Sequence, residues 1–121
     1  MIAPGPATRV FLLPGPTDLR RSFDGLHGLV VSQLAEDPRS GHLFLFCNKP
    51  RTRLKGLCFD GTGLWVCAKR LEKGRFTWPP AGTGSKVRLT AGELALLLDG
   101  LELTRVARRD WWRVEGHAHN T

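Results

Sequence analysis

The chain has 121 residues, a formal net charge of +7, and hydrophobic and charged fractions of 41% and 24%, which predicts one globular domain and excludes a disordered chain. No apolar run approaches the roughly 18 residues of a membrane helix. The Pro- and Ala-containing start also lacks the basic and apolar regions of a secretory signal. We therefore expect a cytoplasmic protein with no membrane partner.

The first predicted elements are a short strand and a helix. Val10–Leu13 is apolar and is closed by a Pro-Gly-Pro turn, which predicts a strand. Four apolar residues then recur every three or four positions, as on one face of a helix: Phe23, Leu26, Val30 and Leu34. Either Thr17 or Ser22 can cap this helix, because a side-chain oxygen can accept a hydrogen bond from a free backbone N–H.

The centre of the chain has the pattern of an antiparallel meander. Apolar runs predict strands over Leu43–Cys47, Arg53–Phe59, Leu64–Ala68 and Arg75–Trp78. Asp60-Gly61-Thr62-Gly63 lies between two of these runs and predicts a hairpin, because its glycines accept positive φ. A short extended piece, Val87–Leu89, follows a loop rich in Gly and Pro.

A second helix is predicted after Thr90. Thr90 and Glu93 have the spacing of a capping box, and apolar residues follow at helical intervals up to Leu101. The fold class predicted is α+β, with an antiparallel meander sheet of four to five strands and two helices packed on one face. We expect a frayed leader over residues 1–9, the domain over 10–103, and a basic tail with tryptophans over 104–121.

Positive charge is concentrated in the centre of the chain. Residues 39–75 contain nine basic residues and only two acids, Asp60 and Glu72. Arg51, Arg53 and Lys55 alternate, so a regular strand projects them from one face. A meander brings the later basic group back beside them, where the two groups can follow a phosphate backbone. The nucleic-acid-binding residues predicted are Arg51, Arg53, Lys55, Lys69, Arg70, Lys73, Arg75 and Trp78.

Two other interpretations of these residues remain open. The cations can form a solvated sheet face that protects strand edges from aggregation. Trp78 can stack on an unpaired base, but the core also needs large aromatic side chains.

Catalytic and metal-binding patterns are weak. Cys47, Cys58 and Cys67 form no Cys-x-x-Cys pair, so we expect small buried thiols rather than a zinc site. The carboxylates are scattered, whereas a nuclease that uses metal ions clusters them. No cofactor is predicted. A small metal-independent ribonuclease that uses His42, Arg53 and Arg75 remains an alternative, since acid–base catalysis needs only one or two positioned groups.

Several short motifs occur in an order that resembles a known family. They are Gly15-Pro16-Thr17-Asp18-Leu19-Arg20-Arg21-Ser22-Phe23-Asp24-Gly25-Leu26, Ser40-Gly41-His42-Leu43-Phe44, Arg53-Leu54-Lys55, Asp60-Gly61, Gly63-Leu64-Trp65, Lys69-Arg70-Leu71-Glu72-Lys73-Gly74-Arg75-Phe76 and Trp78-Pro79. Over about residues 10–103 the chain resembles the TnpB accessory proteins, the second open reading frame of insertion sequences of the sixty-six type.

This resemblance implies a role in DNA transposition and implies no catalytic residue, so we expect a non-catalytic accessory protein. It also implies two partners from the same element, a DDE-type transposase and a small helix-turn-helix protein. We expect binding to DNA, at the transposon ends, or to a transposase–DNA assembly through the central basic sheet. The alternative is a protein adaptor that docks on an acidic transposase surface without direct DNA contact.

Overall fold

The computed structural model describes residues 8–100 and, for the backbone alone, residues 113–115. The elements are β1 (Val10–Pro16), α1 (Phe23–Ser32), β2 (Leu43–Cys47), β3 (Arg53–Phe59), β4 (Leu64–Arg70), β5 (Lys86–Leu89), α2 (Ala91–Leu98) and β6 (Arg113–Glu115). They form an α+β domain around one sheet, with the strand order β4-β3-β2-β1-β5-β6. Within the described residues, neither helix is long and apolar enough to cross a membrane.

The predicted hairpin is confirmed. β2, β3 and β4 pair antiparallel, and all seven residues of β4 pair with β3, from Leu64 opposite Phe59 to Arg70 opposite Arg53. The turn is held by the carboxylate of Asp60, which accepts hydrogen bonds from the backbone N–H groups of Thr62 and Gly63, at 2.9 Å each. The Asx-type turn and the positive φ of Gly61 account for the reversal.

The sheet is mixed, so the prediction of a purely antiparallel sheet was wrong. β1 and β2 are parallel, with Val10 opposite Leu43 and Leu12 opposite Leu45. α1 carries the chain back between them, and a strand–helix–strand connection returns the second strand in the same direction as the first. β5 then pairs antiparallel with the other side of β1.

The two helices pack on opposite faces of the sheet, which corrects the predicted arrangement on one face. On one face, Leu26 and Val30 of α1 cluster with Phe11 and Phe44. On the other face, Leu94 and Leu97 of α2 cluster with a different set of strand residues, which are Val10, Leu12, Leu43 and Leu45. Successive residues of β1 and β2 are therefore buried on alternate sides, as expected for strands covered on both faces.

The predicted strand at Arg75–Trp78 is an irregular segment instead. Its aromatic side chains, Phe76 and Trp78, are buried in the core, and the backbone N–H of Phe76 donates to the carbonyl of Arg51 at 2.7 Å. Part of the predicted tail is a strand, since Arg113–Glu115 pairs with β5. The rest of the tail and residues 1–7 of the predicted leader lie outside the described residues.

The caps of the two helices differ. Ser22 is the N-cap of α1, but its side chain makes no capping hydrogen bond. Thr17, the other predicted cap, is buried, and its hydroxyl has no hydrogen-bond partner among the described residues. The predicted capping box of α2 is confirmed, because Thr90 Oγ1 accepts from the Glu93 N–H at 3.1 Å and Glu93 Oε1 accepts from the Thr90 N–H at 2.8 Å.

Replacing Thr90 with alanine is expected to lower the free energy of unfolding by about 1 kcal/mol, because one backbone N–H of the first turn of α2 loses its acceptor. Urea denaturation of the two proteins measures the difference. Glu93→Gln is the matched control, since glutamine also serves at this position of a capping box. An unchanged midpoint for Thr90→Ala would show that the cap does not stabilise α2.

Candidate nucleic-acid interface

The predicted cations gather at one end of the sheet, where β1, β2 and β4 finish and β3 begins. The turn between β2 and β3 and the loop after β4 meet here, because the Leu71 N–H donates to the Thr52 carbonyl at 2.9 Å. We call this region the basic end, and its cations are Lys49, Arg51, Arg53, Lys55, Lys69, Arg70, Lys73 and Arg75.

Three of these cations share the face that α1 covers. Arg53 lies directly opposite Arg70, and Lys55 lies opposite Ala68, two residues further along β3 on the same side. With Leu19 these residues line a shallow groove of about 460 Å³. Lys55 is held in place because its ammonium donates to the Arg21 carbonyl at 2.9 Å. The groove therefore offers two exposed guanidinium groups beside a positioned ammonium.

Lys69 lies on the other face of the sheet. It is opposite Leu54, a residue of the core beneath α2. Its ammonium donates to the Leu98 carbonyl at 2.6 Å, at the last residue of α2. A cation is favourable at a helix C-terminus, where the backbone carbonyls lack partners within the helix. Lys69 thus ties β4 to α2, and it is also one of the residues that line the groove.

The remaining predicted cations are exposed. Arg70 makes one ion pair, with Glu72 at 3.6 Å, and both side chains are more than half exposed. Exposed pairs of this kind contribute only about 0–1 kcal/mol, so the guanidinium remains accessible to another anion. Arg51, Lys73 and Arg75 lie on the surface of the turn and loop that border the groove.

Trp78 belongs to the core. It is only 6% exposed, and its indole N–H donates to the Leu13 carbonyl at 3.0 Å. This burial leaves little ring surface on which a base can stack, so the predicted stacking role of Trp78 loses its support. Trp65 on β4 is 54% exposed, and its indole N–H donates to Asp60 Oδ2 at 2.6 Å.

Two further arginines lie beside the groove, in the segment before α1. The Arg20 guanidinium binds both carboxylate oxygens of Asp18, with the shortest contact at 2.6 Å. That side-chain contact holds the pKa of Asp18 well below its usual range. Arg21 is exposed next to the Lys55 contact. The signal for this pair in the sequence was the Arg-Arg dipeptide just before the helix, but only the fold places it next to β3.

The structure separates the residues of the ribonuclease alternative. His42 precedes β2, whereas Arg53 begins β3 opposite the far end of β2, so the two lie roughly 20 Å apart along the strands. His42 Nδ1 accepts a hydrogen bond from the Arg9 N–H at 3.0 Å. Arg75 lies in the loop after β4, at the same end of the sheet as Arg53. This topology therefore brings no cation of the basic end next to the His42 imidazole.

Two of the three cysteines pack as expected from the sequence. Cys47 and Cys58 are buried free thiols, and Cys67 is partly buried. Burial raises the pKa of the Cys47 thiol to about 12, which makes it a poor nucleophile. Within residues 8–100 and 113–115, no group of three acidic, histidine or cysteine side chains is arranged to hold a metal ion.

Comparison with known proteins identifies the family. The family described as IS66 Orf2 like protein matches residues 8–108. Two Sinorhizobium fredii proteins (strain NBRC 101917 / NGR234) are similar to the chain. Uncharacterized protein y4jC is 38% identical over 90% of this chain and 92% of its own length. Uncharacterized protein y4hO is 35% identical over 84% of this chain and 88% of its own length. No solved structure matches. The chain therefore belongs to the IS66 Orf2-like family, and this membership indicates an accessory role in transposition.

Proposed function

We propose that this protein is a non-catalytic accessory protein of DNA transposition that binds DNA, or a transposase–DNA assembly, through the basic end. The observation that carries the proposal is the register of β3 and β4, which sets Arg53, Lys55 and Arg70 side by side along one groove. The transposase and the helix-turn-helix protein of the same element are the proposed protein partners.

The charge balance at the basic end supports a polyanionic partner. The acids nearest the groove, Asp18 and Glu72, already pair with Arg20 and Arg70. Two other acids lie at the opposite end of the sheet: Asp60 in the turn between β3 and β4, and Asp37 in the segment between α1 and β2. Cations thus outnumber acids at the basic end, and such a field steers anions toward it.

Duplex and single-stranded DNA both present closely spaced phosphates, and cations that neutralise them release counterions. A groove without exposed aromatic rings favours contact with the backbone over contact with bases. We therefore propose binding that varies little with DNA sequence and strongly with salt. An adaptor that docks on an acidic protein surface would use the same side chains but would show little affinity for DNA alone.

The double substitution Arg53→Ala/Arg70→Ala is expected to weaken binding to DNA of any sequence alike. The slope of log affinity against log salt should fall by about one for each phosphate that the variant no longer neutralises. Fluorescence anisotropy with random-sequence duplex and single-stranded DNA at several salt concentrations measures both quantities. Melting temperature should change little, because both side chains are exposed.

The matched control is Arg9→Ala/Arg39→Ala, which removes the same charge from the opposite end of the sheet. This control should retain most of the affinity and nearly the full slope. Unchanged affinity and slope in a folded Arg53→Ala/Arg70→Ala protein would reject direct DNA contact by the basic end. In that case the adaptor hypothesis would be favoured.

A further inference from the structure

The outer edge of β4 is a regular, unpaired strand edge. β4 is the first strand in the sheet order, so its other side pairs with no strand among the described residues. No residue of β4 is fully buried, and its pairing with β3 runs without a bulge. Such an edge exposes a row of backbone donors and acceptors, and it is a template for pairing with another strand.

The hydrogen bonds at the two ends of the hairpin show which groups face outward. The Asp60 N–H donates to the Gly63 carbonyl at 3.0 Å, and the Leu71 N–H donates to the Thr52 carbonyl at 2.9 Å. In an antiparallel ladder, the residues that bond to the neighbouring strand alternate along the chain. Odd-numbered residues from Gly63 to Leu71 therefore bond toward β3. Even-numbered residues direct their N–H and C=O groups outward: Leu64, Val66, Ala68 and Arg70.

We propose that β4 pairs antiparallel with β4 of a second copy of this chain and joins the two sheets into one. The outward-facing residues must meet each other for both copies to exchange backbone hydrogen bonds. The register that uses the whole strand sets Val66 opposite Ala68 of the second copy, and Leu64 opposite its Arg70. Cys67 then lies on the twofold axis, opposite Cys67 of the second copy.

Charge complementarity selects a second copy in this antiparallel register. One end of β4 carries Lys69 and Arg70, and the other adjoins Asp60, which has no ion-pair partner among the described residues. Trp65 would lie opposite Lys69 of the second copy, on the face where the Trp65 indole already holds the Asp60 carboxylate. Each acidic turn thus meets the cationic strand end of the other copy, as a self-complementary twofold interface requires.

The centre of β4 also allows close approach. Val66, Cys67 and Ala68 are small, and Ala68 is exposed. Cys67 bonds inward to β3, so across the new interface it forms a non-hydrogen-bonded pair, whose Cα atoms lie about 4.5 Å apart. That separation is within the range of a disulfide. The position of Cys67 therefore gives a direct test of both the interface and its register.

The first measurement is cross-linking of the full chain through Cys67. Copper–phenanthroline in air catalyses this oxidation. Two thiols form one disulfide, and dioxygen accepts the two electrons and two protons that they release. We expect a dimer band on non-reducing gels that disappears in Cys67→Ser, which keeps the two buried cysteines. A cross-link that persists in Cys67→Ser, or no cross-link at all, would overturn the proposed register.

The second measurement is the oligomeric state by analytical ultracentrifugation. Ala68→Pro removes an outward N–H while the bonds toward β3 remain, and proline is tolerated on edge strands. Ala68→Ser keeps the N–H and is the matched control. We expect a dimer for the unchanged chain and for Ala68→Ser, and a monomer with retained circular dichroism for Ala68→Pro.

The proposal would be overturned if the unchanged chain stays monomeric at protein concentrations up to hundreds of micromolar. It would also be overturned if the edge of β4 pairs only when a transposase is added. If Ala68→Pro fails to fold, the Cys67 cross-link decides. The proposal rests on backbone geometry and not on the proposed DNA binding, so loss of DNA affinity in the arginine variants leaves it intact.

Discussion

Phe44→Ala is expected to lower the free energy of unfolding by about 3–5 kcal/mol, because it opens a cavity that the surrounding structure fills only in part. Phe44 lies on β2 with β1 and β3 on either side, and none of its side chain is exposed. Its ring is stacked near Phe11, with centroids 5.9 Å apart, beneath α1. A loss of this size is a large part of the roughly 5–15 kcal/mol by which small domains are stable.

Urea denaturation at constant temperature tests this expectation. Phe23→Ala is the matched control, because Phe23 carries the same ring at the first residue of α1 and is 46% exposed. The control should lose less than about 1 kcal/mol, since little apolar surface returns to water. Equal shifts in the two denaturation midpoints would mean that β2 is not at the centre of the core.

The second large effect is expected at the ion pair between Lys86 and Glu36. The two side chains are only 14% and 22% exposed, and the Lys86 ammonium also lies 5.4 Å from the centre of the Phe11 ring. The pair ties β5 to the segment after α1. Lys86→Met should cost about 2–3 kcal/mol, because it leaves the Glu36 carboxylate poorly hydrated and without its cation. Some solvent access keeps this value below the cost of breaking a fully buried pair.

The double variant Lys86→Met/Glu36→Gln separates the loss of attraction from the penalty of an unpaired charge. With neither charge present, most of the stability lost in Lys86→Met should return. Thermal melts of the unchanged chain, both single variants and the double variant complete the cycle. A double variant as unstable as the sum of the single variants would show that the two side chains act independently.

Features built from neighbouring residues were predictable from the sequence. The hairpin at Asp60 depends on hydrogen bonds within four residues, and the cap of α2 depends on Thr90 and Glu93 alone. The parallel pairing of β1 and β2 was not predicted, since it depends on how α1 returns the chain. One signal for it exists in the sequence: Val10–Leu13 and Leu43–Cys47 are continuously apolar, which indicates strands covered on both faces.

The candidate site was predictable in part for the same reason. Alternation along β3 placed Arg53 and Lys55 together, and the antiparallel pairing brought Arg70 beside them. The opposite orientation of Lys69 and the burial of Trp78 followed from register and from the path of the loop after β4. Arg20 and Arg21 lie beside the groove because the βαβ connection places their segment there. No local pattern in the sequence indicates which strand such a segment will approach.

The central position of β1 has a consequence for folding. β2, β3 and β4 are joined by short turns and can pair soon after they are made. β1 must close a loop of about 30 residues to reach β2 and of about 80 residues to meet β5, and such distant pairing slows folding. Until Leu89 has been synthesised, the apolar strand that begins at Val10 has a partner on at most one side. A nascent chain of this protein therefore carries an exposed hydrophobic strand edge, open to chaperones and to aggregation, through most of its synthesis.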